Sequence, residues 1–453
     1  MILLRFTLRN HASFRGEASL SFVSSALKTN VPRSGNWADY VTPVAAIYGA
    51  NASGKSVLLD GLRYMQAIIA NSATSWSGQA RLPRAPFRLD DSAATEPSRY
   101  VLEFVADDGL RYEYGLALTE ERIVEEWLLG YWTAKPTMLF DRTPAGLEVG
   151  RRLKGGSALL DRITGERELV LSRGVTAKNG LLTSIADAIT SKLDFASFGD
   201  LDRGERLDRL ATQLAEGAIS TDELVTLLRV ADIGISDVEV QEHEIPAGLR
   251  RVMKIFVTEA RAEDVDSSMR KEAALNDEEI DELVPTLRRA PRFHHVGAGG
   301  HSHPLDLVVE SSGTLTWLGL AVPALERLRE GGLLCVDELD ASLHPQLAQV
   351  LVAMFTDKEV NKRGAQLLFT THDTNFIDAD NPDRLSPEQV WFTQKDSTGV
   401  SELFSLLEFP TRADQNFAHR YLAGRYGALP RLVPSQLRGL VGEQEPLPLE
   451  MAL

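Results

Sequence analysis

The stretch Gly49-Ala50-Asn51-Ala52-Ser53-Gly54-Lys55-Ser56 satisfies G-x-x-x-x-G-K-[ST] at every position. Small residues at Gly49, Asn51, Ser53 and Gly54 let successive backbone N–H groups turn inward around phosphate oxygens. Lys55 is then placed to reach the β- and γ-phosphates of a nucleotide such as ATP, and Ser56 to put its hydroxyl on Mg²⁺. Three further stretches carry matching chemistry. "LLCVDELDASLHP" is an apolar run that delivers Asp337 and Glu338 at its end. Asp337 is a candidate to hold Mg²⁺ through water, and Glu338 to orient and deprotonate an attacking water. "ESSGTLTWLGL" places Ser311, Ser312 and Gly313 at the opening of a helix, where free N–H groups favour an anion. "QLLFTTHD" ends a second apolar run at His372, which could hydrogen-bond a γ-phosphate.

Taken singly, most of these signals have a bland alternative. An apolar strand ending in Asp-Glu, a serine that caps a helix and a surface histidine are all common. Their ordered combination with a full phosphate loop is what gives them weight. Cys335, inside the acidic strand, reads as a small core residue and not as a reactive thiol.

The elements that must position these residues are legible in outline. Val44 to Tyr48 is a short apolar strand leading into the loop, and "SVLLDGLRYMQAII" has helical apolar spacing after it. Residues 1–23 read as strand, turn, strand. "YVLEFVADDGLRYEYGLAL" alternates on both sides of Asp108-Gly109, a hairpin signal. "RIVEEWLLGYW" and "TMLFDRT" extend an antiparallel meander. From about residue 150 the pattern turns helical and more polar. "ERLDRLATQLAEGAISTDELVTLLRVADIG" reads as two helices, and 259–291 is a dense mixed-charge stretch of the kind found on a solvated helical face.

The chain has 453 residues, 43% of them hydrophobic, enough for a sizeable core and more than one domain. A net charge of −16 argues against a protein that coats nucleic acid over its whole surface, while leaving a local basic groove open. One cysteine excludes a disulfide framework and fits a reducing, cytoplasmic setting. No apolar run approaches the ~18 residues of a membrane span, and the N-terminus lacks a signal-type apolar stretch.

At "FTLRNHASF", "YGANASGKS", "ESSGT", "VDELDASLHP" and "TTHD" the chain resembles the ATP-binding-cassette (ABC) ATPases of the SMC/RecF/OLD branch. Within that branch it resembles the abortive-infection ATPases of AbiL/RloA type. "VWFTQKDSTGVSELFSLLEF" and "RYLAGRYGALP" extend the likeness toward the C-terminus. The resemblance implies an α/β fold: an ABC-type head of the P-loop NTPase class, with an antiparallel β subdomain and a helical insertion. The expected division is residues 1–150 for the N-terminal half of the head, 151–290 for the insertion, 291–405 for the C-terminal half and 406–453 for a tail. It further implies that Ser311, Ser312 and Gly313 form a signature motif acting on the nucleotide of a second copy. Asp340 to Leu343 would be a loop coupling the two sites of a homodimer or higher homo-oligomer, and His372 a switch histidine.

The implied role is an ATP-hydrolysing, dimerising switch in bacterial anti-phage defence, working with a partner effector that could be a Toprim-type nuclease. The alternative is a DNA-repair ATPase of RecF type that binds DNA directly. A nuclease of the OLD kind within this chain is not expected, because too few residues follow His372 and no acidic cluster appears there. The branch usually carries a glutamine that touches Mg²⁺; Gln79 is the nearby candidate. The signature reads Ser-Ser-Gly-Thr where transporters have Ser-Gly-Gly. By analogy with related heads, His11 to Arg15 would pack beside the nucleotide base.

His294, His295, His301 and His303 cluster around a glycine-rich turn, but no carboxylate or cysteine joins them at fixed metal-ligand spacing, so a hairpin with exposed histidines is the expectation. Arg5, Arg9, Arg15, Arg420 and Arg425 do not define one face by sequence alone, and solvated arginines are the default. The end of the chain, "GEQEPLPLEMAL", reads as a disordered tail.

Overall fold

The computed structural model describes residues 1–153, 157–196, 209–214, 217, 219–231, 234–244, 287–297, 299–306, 310–341, 343–412 and 415–429. The mixed-charge stretch up to residue 286 and the chain after residue 429 lie outside the described residues, as does Ser342. The chain divides into two compact units. The first holds Met1–Phe195, Glu330–Asp337 and the described residues from Phe355 onward; the second holds the described residues of Ala196–Arg329 and Glu338–Met354.

The first unit is built on two sheets. One is antiparallel and seven-stranded: β1 (Ile2–His11), β2 (Phe14–Ser21), β4 (Ser98–Val105), β5 (Arg111–Leu118), β6 (Ile123–Tyr131), β7 (Thr137–Thr143) and β8 (Gly146–Val149), in the order β2-β1-β4-β5-β6-β7-β8. Alternation decides its faces. Phe6 and Leu8 of β1, Tyr100, Leu102 and Phe104 of β4, and Tyr112, Tyr114 and Leu116 of β5 are buried. Arg5, Thr7 and Arg9 stand on the other face. The Asp108-Gly109 turn joins β4 to β5 as its sequence predicts, with Gly109 at φ +77°.

The other sheet is six-stranded and mostly parallel. It comprises β3 (Val44–Gly49), β9 (Leu193–Ala196), β13 (Leu333–Val336), β14 (Gln366–Thr370), β15 (Val390–Lys395) and β16 (Ser401–Ser405), in the order β16-β15-β3-β14-β13-β9. β13, β14, β3 and β15 run parallel, and β16 returns antiparallel beside β15. All residues of β3, β13 and β14 are buried, which is why their sequences are continuous apolar runs without alternation.

The helix Lys55–Asn71 follows β3 and buries Leu58, Leu59, Leu62, Met65, Ile68 and Ile69, spaced along one face. These side chains share one core cluster with the inner face of the seven-stranded sheet and with Ala45 and Ile47 of β3. The head is therefore an α/β P-loop fold with an antiparallel β subdomain.

The second unit carries a three-stranded antiparallel sheet, β10 (Ile235–Glu244), β11 (Leu287–Val296) and β12 (Ser302–Asp306). The helices Thr221–Ala231 and Ser312–Glu330 belong to the same unit and are tied by the Trp317 indole N–H, which donates to the Leu227 carbonyl at 2.7 Å. Between residues 151 and 290 the described helices Ser157–Ile163, Val170–Thr176, Gly180–Thr190 and Thr221–Ala231 are accompanied by β9, β10 and the start of β11, so residues 287–291 of the mixed-charge stretch are strand where a helical face is expected. Of the two helices read in 205–234, the second is Thr221–Ala231; part of the first falls outside the described residues. No described helix is long and apolar enough to cross a membrane.

Candidate functional site

Ligands in open α/β sheets gather beyond the carboxyl ends of parallel strands, because loops there diverge and helix N-termini point inward. Here β3 ends in the phosphate loop, β13 in Asp337 and β14 in Thr370-Thr371-His372. The parallel register aligns Val336 with Phe369 and Thr370 with Ile47, so these three strand ends lie side by side.

The loop is held from several directions. Thr393 of β15 pairs with Gly49, and its hydroxyl meets Ser53 Oγ at 2.6 Å. A Cβ on Gly49 would lie 2.5 Å from the Thr393 carbonyl oxygen and 2.6 Å from Ser53 Oγ, so no other residue fits there. Gly54 caps the helix Lys55–Asn71 with φ +111°, a left-handed conformation that L side chains rarely adopt. A Cβ on Gly54 would meet Ser401 Oγ at 2.8 Å. Ser401 in turn donates through its N–H to the Ser13 carbonyl and bonds the Ser13 hydroxyl, each at 2.8 Å. The turn between β1 and β2, within the His11 to Arg15 stretch, thus abuts the phosphate loop.

Lys55 is nearly buried, at 6% exposure. Its ammonium donates to the carbonyls of Gly49 at 2.9 Å and Ala50 at 3.3 Å, and lies 3.0 Å from His372 Nε2. Ser56 Oγ donates to Asp337 Oδ1 at 2.9 Å, and Thr370 Oγ1 donates to the same oxygen at 2.6 Å. These residues fit a nucleotide with Mg²⁺. A hydroxyl and a carboxylate that touch are hard oxygen donors suited to that ion. The glycine cradle is a space that any Cβ would fill, and an ammonium sits beside it.

Glu338 directly follows Asp337 and is exposed, with φ +53°. Its carbonyl accepts from the Ala341 N–H at 2.8 Å, so the chain turns sharply through Leu339 and Asp340. In the second unit Ser311 caps the helix Ser312–Glu330. Its hydroxyl accepts from the Thr314 N–H at 3.0 Å and meets the Thr314 hydroxyl at 2.7 Å. Gly313 follows in the first turn of that helix, where a Cβ would find only Ser311 Oγ, at 3.9 Å. Gln79 is exposed in the turns after the helix Lys55–Asn71, its N–H donating to the Trp76 carbonyl.

The family described as "AAA domain, putative AbiEii toxin, Type IV TA system" matches residues 44–378. The chain belongs to that family. The matched span begins at the first residue of β3 and runs past His372, so it includes the phosphate loop, the Ser-Ser-Gly turn, the acidic strand and the histidine. As a family member the protein carries an AAA domain. Among solved structures it is similar to the SMC head domain from Thermotoga maritima, at 14% identity over 89% of this chain and 99% of that one, with a TM-score of 0.37. It is also similar to the recombination mediator protein RecF with ATP, at 13% identity over 89% and 97%, with a TM-score of 0.36. No curated protein matches the chain.

Sequence reasoning passed over Thr370, Thr393 and Ser401, whose importance comes from register. It placed His11 in a motif without a partner. His11 is 1% exposed, with Nδ1 2.9 Å from the Tyr100 hydroxyl and Nε2 3.1 Å from Asp60 on the helix after the phosphate loop. This bond is the main cause that holds the Asp60 carboxyl below its usual range.

The N-terminal arginines are answered by carboxylates: Arg5 by Glu103 at 2.9 Å, Arg9 by Glu96 at 3.3 Å and Arg15 by Asp90 at 2.5 Å. Arg420 stacks over Tyr426. The histidine-rich segment is the hairpin β11–β12 that its glycines predict. Among the described residues no group of three or more His, Cys, Asp or Glu side chains is set to hold a metal ion.

Proposed function

We propose that the protein is a Mg²⁺-dependent ATPase acting as an ATP-driven, dimerising switch in bacterial defence against phage, in the cytoplasm and together with an effector protein. The observation that carries the ATPase part is the convergence on Asp337. Ser56 of the phosphate loop and Thr370 of β14 both donate to one of its oxygens, beside the Lys55–His372 contact. The defence role is supported by the description of the family, a putative toxin of a type IV toxin–antitoxin system.

In this reading Lys55 pairs with the β- and γ-phosphates, and the N–H groups from Gly49 to Gly54 bind their oxygens. Ser56 and Asp337 hold Mg²⁺, which when bound neutralises charge on the phosphates. Glu338 orients the attacking water and takes its proton on a carboxylate oxygen. His372 donates to a γ-phosphate oxygen. Ser311, Ser312 and Gly313 act on the nucleotide of a second copy through the N-terminus of their helix, and Asp340 couples the two sites. The effector, a Toprim-type nuclease being one candidate, is a separate chain.

Glu338→Gln tests the chemistry. It keeps the side chain's size and hydrogen bonding and removes the base. ATP binding should persist while steady-state phosphate release falls by about 100-fold or more, within the range for loss of a general base. Unchanged turnover would remove Glu338 from the mechanism.

A further inference from the structure

Glu310 stands immediately before Ser311, at the mouth of the helix Ser312–Glu330. Its side chain is only 3% exposed, unusual for a carboxylate. Burying an ionised carboxylate is costly unless a partner answers it. That partner is His295 of β11, whose Nε2 lies 2.7 Å from Glu310 Oε1. Both residues belong to the second unit. Against a carboxylate the ring nitrogen is the donor.

The position of the pair gives it a second consequence. A helix N-terminus attracts anions through its free N–H groups and its dipole. A negative charge one residue outside the helix works against that attraction for any incoming phosphate, since like charges at short range repel. We infer that His295 is a positioning residue for the composite site: by bonding Glu310 it offsets the carboxylate's charge and fixes the entrance of the Ser311-Ser312-Gly313 helix for a second copy's γ-phosphate. This rests on the reading of that helix as acting in trans.

The surroundings of the pair are consistent with the assignment. On the same strand face as His295 stands Phe293, which is fully buried, and the His303 ring packs against Gly297 just after the strand. His303 is also the cross-strand partner of His295, so among the described residues it and Glu310 are titratable groups that face His295. Glu239 faces the neighbouring His294 at 3.5 Å.

The role predicts a loss of association, and its rescue, in variants whose melting temperatures stay close to wild type, which a purely structural contact would not show. In the full-length protein, His295→Ala should weaken ATP-dependent self-association by at least about tenfold, as expected when a buried carboxylate loses its hydrogen-bond donor. Affinity for a fluorescent ATP analogue at the phosphate loop should stay within about twofold, because the first unit is untouched. Adding Glu310→Gln to His295→Ala should restore most of the association by removing the unanswered charge. His295→Gln, which keeps an N–H donor, should fall between wild type and His295→Ala. A double variant as weak as His295→Ala, or a His295→Ala protein that associates like wild type, would overturn the proposal alone. A wild-type protein that never associates with ATP would sink the trans reading, and this proposal with it.

Discussion

The phosphate loop and the Ser-Ser-Gly turn both present a helix N-terminus, yet they are anchored in different ways. The phosphate loop is fixed by partners hundreds of residues away in sequence: Ser53 by Thr393, Ser56 by Asp337 and Lys55 by His372. The Ser-Ser-Gly turn is fixed locally, by Ser311 on Thr314 three residues on. Long-range ties beside it are the His295–Glu310 bond and, further along the helix, the Trp317–Leu227 bond. A loop that must discriminate the state of a nucleotide is thus preorganised by the whole sheet. On the proposed reading, the Ser-Ser-Gly turn would receive an anion with only a cap and a controlled charge beside it.

That contrast can be broken at its strongest point. Lys55→Ala removes the buried ammonium that neighbours Gly49, Ala50 and His372. ATP affinity measured by calorimetry should fall by at least about 30-fold, the usual scale for loss of a desolvated charge partner. Near-native affinity would mean that the backbone cradle alone holds the nucleotide.

These positions are not equally legible in the sequence. The phosphate loop, Asp337 and His372 announce themselves because each is a local pattern: a glycine motif, or an apolar run ending in a polar residue. β3, β13 and β14 are continuous apolar runs because both faces of the sheet are covered, so their ends were easy to find. Thr393 and Ser401 gave no such signal. Their sequence neighbours mark a strand and a turn, but the contact with Gly49 and Gly54 comes through the order β16-β15-β3, which brings together segments 340 residues apart in the case of Ser53 and Thr393. The same holds for His11, whose partners Asp60 and Tyr100 lie on a helix and on another strand. The arginines near the N-terminus were unplaceable for this reason too: their carboxylates come from β4 and from the loop before it.

A weaker test addresses the Ser-Ser-Gly turn. Ser311→Ala removes the cap on the helix Ser312–Glu330 and should cost about 1 kcal/mol of stability in denaturant melts. A loss well above 2 kcal/mol would show that Ser311 has partners beyond its own helix turn.

The smallest effect concerns the tie between β1 and the helix after the phosphate loop. His11 holds the Asp60 carboxyl below its usual range, so the bond stabilises the fold above the unfolded-state titration of about pH 3.9 and loses its contribution as pH falls through the lowered folded value. Melting temperatures of wild type and Asp60→Asn should therefore differ near neutral pH, begin to approach one another below about pH 3.9 and converge once pH has fallen through the lowered folded value. A gap that persists or widens in acid would mean that the carboxyl is not held by His11.

The central claim is that the phosphate loop of one copy and the Ser311-Ser312-Gly313 turn of another make one site. Sedimentation velocity of Glu338→Gln tests it most directly, with ATP, with ADP and with Gly313→Asp added. The account predicts dimers with ATP and monomers with ADP. It also predicts that Glu338→Gln/Gly313→Asp still binds ATP but stays monomeric, because an aspartate at the helix mouth repels the γ-phosphate of the facing copy. Dimers that form equally well with Gly313→Asp present, or no ATP-dependent association of Glu338→Gln at all, would contradict it.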